Sequence, residues 1–104
     1  MSSRSLQPLL RPASIAVIGA SERVGSVGNE VLVNLNKGGY EGAIYPVNPT
    51  YDVLHELPCY LSLAALPEVP DHVIFAVSDH RIEACFDEML ALGIRACTIF
   101  SALI

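Results

Sequence analysis

The sequence predicts an α/β fold of the Rossmann-like kind, a parallel sheet with helices on both faces. Short apolar runs alternate with longer segments in which apolar residues recur at helical spacing. The first apolar run, Ser14 to Ile18, ends directly at a glycine-rich turn, as a strand that precedes a phosphate-binding helix does. The 104 residues are 52% hydrophobic, which suffices for one buried core. We therefore predict one domain over residues 1–104.

The first half of the chain predicts a strand, a helix and a second strand. The run at 14–18 is β-branched and does not alternate with polar residues, as expected of a central strand covered on both faces. The second strand, at 43–47, contains Pro46, which we expect to loosen or end it because proline cannot donate to a ladder. Between them lies a helix whose apolar face is marked by Val27, Val31 and Leu35.

The second half of the chain predicts two further strands with a helix between them. We expect strands at 73–77 and 96–100, preceded by a short strand at 59–60 and a helical turn at 62–66. A doubly wound domain would normally add another helix after the last of these strands. We therefore expect the domain to be incomplete at its C-terminus. The intervening helix buries Ile82, Cys85, Phe86 and Met89 and stops at Gly93.

Charge and hydropathy exclude several partners. The chain has 6 Lys and Arg against 11 Asp and Glu, a net charge of −5, so it lacks the basic excess that nucleic acid or an anionic membrane surface attracts. No apolar stretch approaches the roughly 18 residues of a membrane span. Pro8 and Pro12 interrupt any signal-peptide core, so we expect a cytoplasmic location.

The cysteines and histidines form no motif for metal binding or nucleophilic catalysis. The cysteines have neither C-x-x-C spacing nor a histidine at ligand intervals, so we predict buried free thiols. The histidines lie in separate segments, and we predict that they are surface residues or residues at the ends of elements. These residues are Cys59, Cys85 and Cys97, and His55, His72 and His80.

The loop from Gly19 to Gly28 lies where open α/β sheets bind phosphates at a helix N-terminus. Its spacing is neither G-x-G-x-x-G nor a Walker A motif, so a glycine turn that binds nothing remains an alternative. The second strand ends in Asn48 and Pro49 and not in the acidic residue that holds a nicotinamide ribose, which argues mildly against NAD. We expect Gly19→Val to abolish phosphate binding and to leave the fold mostly intact.

Three strings carry a family resemblance: SIAVIGASERVGSVGNEVLVNL from Ser14, GYEGAIYPVNP from Gly39 and LPCYLSLAALPEVPD from Leu57. Together they closely resemble the N-terminal CoA-binding domain of NDP-forming acyl-CoA synthetases, such as ADP-forming acetate–CoA ligases. The same domain precedes a GNAT module in bacterial protein acetyltransferases, and it is related to the α-subunit of succinyl-CoA synthetase. The sequence departs from the family pattern at Ser78, where proline is usual, and at Leu103 and Ile104, which replace a glycine and a phenylalanine. Two smaller departures are Val24, where proline is common, and Glu56, where glycine is common.

The resemblance implies a coenzyme A or acyl-CoA site and no catalytic or metal-binding residue in this chain. ATP or ADP would bind in further domains or subunits of the parent enzyme, an ADP-forming acid–CoA ligase. Two alternatives remain, an NAD(P)-binding domain of an oxidoreductase and a CoA-sensing regulatory module of a protein acetyltransferase. The candidate cofactor-binding residues are Gly19, Ala20, Ser21, Arg23, Gly25, Gly28, Pro46, Val47, Asn48, Pro49, Ala76, Val77, Ser78 and Ser101.

Overall fold

A computed structural model describes residues 13–77 and 79–99, with only the backbone at 79–81. In chain order its elements are β1 (Ser14–Ile18), α1 (Val27–Lys37), β2 (Ala43–Val47), β3 (Val53–Leu54), β4 (Leu57–Pro58), β5 (His72–Phe75), α2 (Asp79–Ala91) and β6 (Cys97–Ile99). Four of the strands form a parallel sheet in the order β2-β1-β5-β6, while β3 and β4 form an antiparallel hairpin. The predicted Rossmann-like architecture is confirmed.

The two helices cover opposite faces of the sheet, because alternate residues of each strand point to opposite sides. On one face, Ala16 and Phe75 pack in a cluster with Met89 of α2. On the other face, Val17 and Ile74 belong to the cluster that contains Val31 of α1. The connections through α1 and α2 run in opposite directions along the sheet, so a crevice opens at the carboxyl ends of β1 and β5.

Pro46 neither ends nor loosens β2, so that prediction is wrong. It lies opposite Val17 in the parallel register and is fully buried. Its carbonyl oxygen accepts a hydrogen bond of 2.9 Å from the N–H of Tyr60, on the side of β2 that faces away from β1. The N–H and C=O of one strand residue point to the same side, so the donor that proline lacks is one that the ladder to β1 does not use.

Other predicted boundaries and exposures also differ from the structure. The strand predicted at 73–77 is β5, which runs from His72 to Phe75. The short strand predicted at 59–60 is replaced by the β3–β4 hairpin and one bridge from Tyr60 to Val47. His72 is the first residue of β5, one of the element ends at which the histidines were predicted, and it is buried there beside Thr98. The three cysteines, predicted to be buried, are only half-buried.

The turn of the β3–β4 hairpin holds two residues in a left-handed conformation. His55 has φ +49° and Glu56 has φ +66°, the pattern of a type I′ turn. This turn prefers glycine or asparagine, because a Cβ is strained at positive φ. The His55 ring compensates in part, since its Nε2 lies 2.8 Å from Oδ1 of Asn29 in α1.

Glu56→Gly is expected to stabilise the protein by roughly 1 kcal/mol, because relief of the left-handed strain exceeds the entropy that glycine adds to the unfolded chain. The midpoint of thermal unfolding would then rise by about 4 °C. The control is His55→Gly, which relieves the same kind of strain but removes the contact with Asn29 and should give a smaller gain. A lower melting temperature for Glu56→Gly would contradict this explanation.

Candidate functional site

The loop between β1 and α1 begins at the crevice and is anchored to both neighbouring strands. Gly19 has φ +87°, and its N–H donates to the carbonyl oxygen of Val47 at 3.0 Å. On the other side, the N–H of Ala76 donates to the carbonyl oxygen of Ile18 at 2.8 Å. The start of the loop is therefore held at the ends of β2 and β5 together.

Two glycines of this loop are required by close backbone approach and a third by backbone conformation. A Cβ on Gly19 would lie 2.3 Å from the carbonyl oxygen of Ala76, and a Cβ on Gly28 would lie 2.0 Å from the carbonyl oxygen of Gly19. Gly25 has open space around it but φ +90°. The clash at Gly19 is with backbone, so we no longer expect Gly19→Val to leave the fold mostly intact.

Ser26 caps α1 and completes the loop. Its Oγ accepts from the N–H of Asn29 at 3.2 Å and donates to the carbonyl oxygen of Arg23 at 2.7 Å. Within the described residues, no hydrogen bond uses the N–H groups of Val27 and Gly28 in the first turn. Such groups, with the positive end of the helix dipole, favour a bound anion. Ser26 was not among the predicted site residues, although a serine before an apolar helical pattern is a recognised capping signal.

The loop after β2 contacts the loop after β1 through two polar side chains. Nδ2 of Asn48 donates to the carbonyl oxygen of Ala20 at 2.8 Å, and the hydroxyl oxygens of Ser21 and Tyr51 lie 3.5 Å apart. Oγ of Ser21 also accepts from the N–H of Arg23 at 3.0 Å. These contacts hold the residues after Gly19 in one conformation. Tyr51 is a member of the site that the sequence analysis did not identify.

A groove of about 360 Å³ extends from this crevice toward α2. Of the predicted residues, those that line it are Gly19, Val47, Asn48, Pro49 and Val77. The opposite wall of the groove was not predicted. It comes from an irregular segment and from a helix distant in sequence, and no local motif marks either of them. That wall is formed by Leu61, Ser62, Ala84, Cys85 and Glu88.

The other predicted residues have different environments. The side chains of Ala20 and Pro46 are buried inside the protein, so they support the loops from behind. Arg23 is exposed on the loop, where its guanidinium can reach solvent. Ser78 and Ser101 lie outside the described residues, so the structure does not place them.

Cys59 lies beside the site but is not activated as a nucleophile. Its Sγ donates to the carbonyl oxygen of Asn48 at 3.5 Å, and burial raises the pKa of the thiol. The raised pKa favours the protonated thiol, whereas the thiolate is the reactive form. The described part of the chain contains no group of three or more His, Cys, Asp or Glu side chains that could hold a metal ion. No described helix is long and apolar enough to cross a membrane.

Comparisons with known proteins agree on one family. Residues 13–104 match the family described as "CoA binding domain". The chain is 40% identical over 97 residues to acetate–CoA ligase [ADP-forming] II of Archaeoglobus fulgidus, which covers 93% of this chain and 14% of that relative. It is 33% identical over 95 residues to 4-hydroxybutyrate–CoA ligase [ADP-forming] of Nitrosopumilus maritimus, covering 91% of this chain.

Solved structures of related proteins match the fold of this chain. The dinucleotide forming acetyl-coenzyme A synthetase 1 of Ca. Korarchaeum cryptofilum, in complex with phosphate and ADP, matches with a TM-score of 0.88 and 30% identity. The match covers 95% of this chain and 21% of that one. The chain spans about 14% of the length of each of the two curated relatives named above. It belongs to the CoA-binding domain family and is homologous to the N-terminal part of the NDP-forming acyl-CoA synthetases.

Proposed function

We propose that the crevice binds the diphosphate of coenzyme A or acyl-CoA, and that the chain is the CoA-binding module of an ADP-forming acyl-CoA synthetase. The observation that carries this proposal is the first turn of α1. There the N–H groups of Val27 and Gly28 have no partner among the described residues. Gly19 and Gly28 have no side chains that would cover this backbone. A diphosphate can approach such a backbone closely and accept its hydrogen bonds.

The hydroxyl of Ser21 is a further donor for the diphosphate. Its oxygen accepts the N–H of Arg23, and its proton is available to the ligand when Tyr51 is the donor in the contact between the two hydroxyls. The guanidinium of Arg23 adds positive charge from the rim of the loop, where the contribution is modest because the side chain is exposed. Gly25 allows the loop to turn into the helix.

The groove would take the part of CoA beyond the diphosphate. Val47, Asn48 and Pro49 border the nucleotide from the end of β2, with Pro46 as buried support. Ala76 and Val77 form the floor beside Gly19, and Ser78 and Ser101 stay candidates for the same groove. Its lining is largely apolar, as ligand sites with a few placed polar groups are.

The whole protein would interconvert acyl-CoA, ADP and phosphate with the free acid, CoA and ATP. This proposal follows the printed names of the relatives, which are ADP-forming CoA ligases. The described residues supply a binding site, and burial raises the pKa of the Cys59 thiol beside it. Nucleotide binding and acyl transfer would then use other domains or subunits of the parent enzyme.

The test is calorimetric titration of the folded chain with CoA and separately with NAD⁺. CoA is expected to bind and NAD⁺ is not, although both carry a diphosphate. Pantetheine, which lacks the diphosphate, is the matched ligand control and should bind far more weakly than CoA. Binding of NAD⁺ without CoA, no binding of either, or equal binding of pantetheine and CoA would each overturn the proposal.

A further inference from the structure

Asn48 has an unusual set of contacts for a residue at the edge of a ligand groove. Its Oδ1 accepts from the N–H of Thr50 at 2.8 Å, and its Nδ2 donates to the carbonyl oxygen of Ala20 at 2.8 Å. The orientation of the amide is unambiguous, because the N–H of Thr50 can only donate and the carbonyl of Ala20 can only accept. Its own N–H donates to the carbonyl oxygen of Tyr60 at 2.9 Å.

These contacts fix the side chain from its own loop and aim its NH₂ group at the loop after β1. The hydrogen bond to Thr50 is the Asx turn that short polar side chains form with the residue two positions later. The position of Asn48 is therefore set before any ligand arrives. Each polar atom of its side chain makes one hydrogen bond within the protein, and together the two bonds hold the amide in place.

The contact with Ala20 decides which way the next peptide group points. In a planar trans peptide, the C=O of Ala20 and the N–H of Ser21 point in opposite directions. Asn48 follows β2, which lies on one side of β1, and it draws the carbonyl of Ala20 toward that side. The N–H of Ser21, on the opposite side of the same peptide, therefore points away from Asn48 and the end of β2. Among the described residues, no hydrogen bond uses this N–H.

We propose that Asn48 is a positioning residue that acts through the carbonyl of Ala20, so that the N–H of Ser21 is presented to the CoA diphosphate. This inference rests on the proposed function. It gives a reason for an amide at the place where nicotinamide-binding domains carry a carboxylate. An aspartate could accept from Thr50 but could not donate to Ala20, and its charge would repel that carbonyl.

The test measures CoA affinity and the backbone amide resonances of ¹⁵N-labelled protein. In the wild type, CoA and inorganic pyrophosphate should both shift the Ser21 amide as well as those of Val27 and Gly28. Asn48→Asp and Asn48→Ala should each weaken CoA binding about tenfold or more, the effect of losing a hydrogen bond to a charged group. At saturating CoA, their Ser21 amide should shift little, while those of Val27 and Gly28 still respond.

The control is Thr50→Asp, which adds a negative charge beside the site but keeps the N–H that orients Asn48. It should weaken CoA binding less than about threefold, because an exposed charge has a small effect. Wild-type CoA affinity in both Asn48 variants, or an unchanged Ser21 response in them, would overturn the inference and leave the proposed function standing. If CoA binds to the wild type without shifting the Ser21 amide, the inference is likewise overturned and the proposed function still stands. Failure of the wild type to bind CoA would overturn both.

Discussion

Gly19→Ala is expected to abolish detectable CoA binding and to lower the free energy of unfolding by about 3 kcal/mol. The methyl group would lie 2.3 Å from the backbone oxygen of Ala76, so the ends of β1 and β5 must separate. Strain at φ +87° adds to this steric cost. Urea unfolding measures the stability loss, and calorimetry with CoA measures the affinity.

The matched control is Gly39→Ala, after α1 and away from the crevice. Gly39 has φ +74° but open space around the position of a Cβ, so alanine there introduces backbone strain without a clash. We expect a loss of about 1 kcal/mol and wild-type CoA affinity. Equal CoA affinities in the two variants would mean that the diphosphate does not lie against Gly19.

The sheet and both helices could be predicted because their signals are local and strong. The apolar run at 14–18 is β1, and the helical spacing of Val27, Val31 and Leu35 marks α1. The helix α2 ends where Gly93, with φ +83°, follows it. In each case the residues that pack on a face of the sheet are apolar, and their spacing identifies the strand or helix from a short stretch of sequence.

The differences from the predictions come from contacts between segments distant in sequence. Pro46 is compatible with β2 only because its missing N–H faces away from β1. The β3–β4 hairpin has strands of two residues, too short for any periodicity, and it is held by Leu54, which is buried in the cluster beneath α1. A single sequence contains no signal for either arrangement.

The candidate site, like the fold, has features that the sequence predicted and features that only the coordinates show. Glycines at 19, 25 and 28 indicated a phosphate loop by position but not by standard spacing, and the choice of CoA came from the family resemblance. The roles within the site needed coordinates: Gly28 against the carbonyl of Gly19, and Asn48 against the carbonyl of Ala20. Every residue has a backbone carbonyl, so the type of residue at positions 19 and 20 does not reveal that its carbonyl is contacted.

Phe75→Ala is expected to cost about 3–5 kcal/mol of stability, as expected for truncation of a fully buried aromatic side chain. Phe75 is 0% exposed, in the cluster beneath α2, with its ring 6.3 Å from that of Phe86. Urea unfolding provides the measurement. The control is Leu90→Ala on the exposed side of α2, where 51% of the residue is accessible and the cost should stay within about 0.5 kcal/mol.

The same variant also links the core to the proposed ligand. Phe75 directly precedes Ala76, whose N–H donates to Ile18 at the base of the crevice, so the cavity left by the ring lies close to the site. A ligand that binds only the folded state at 100 times its Kd restores about 2.7 kcal/mol. If CoA binds in the crevice, an excess set from the measured Kd of the variant should recover a corresponding part of the lost stability. Recovery with NAD⁺ but not with CoA would contradict the assignment of the site.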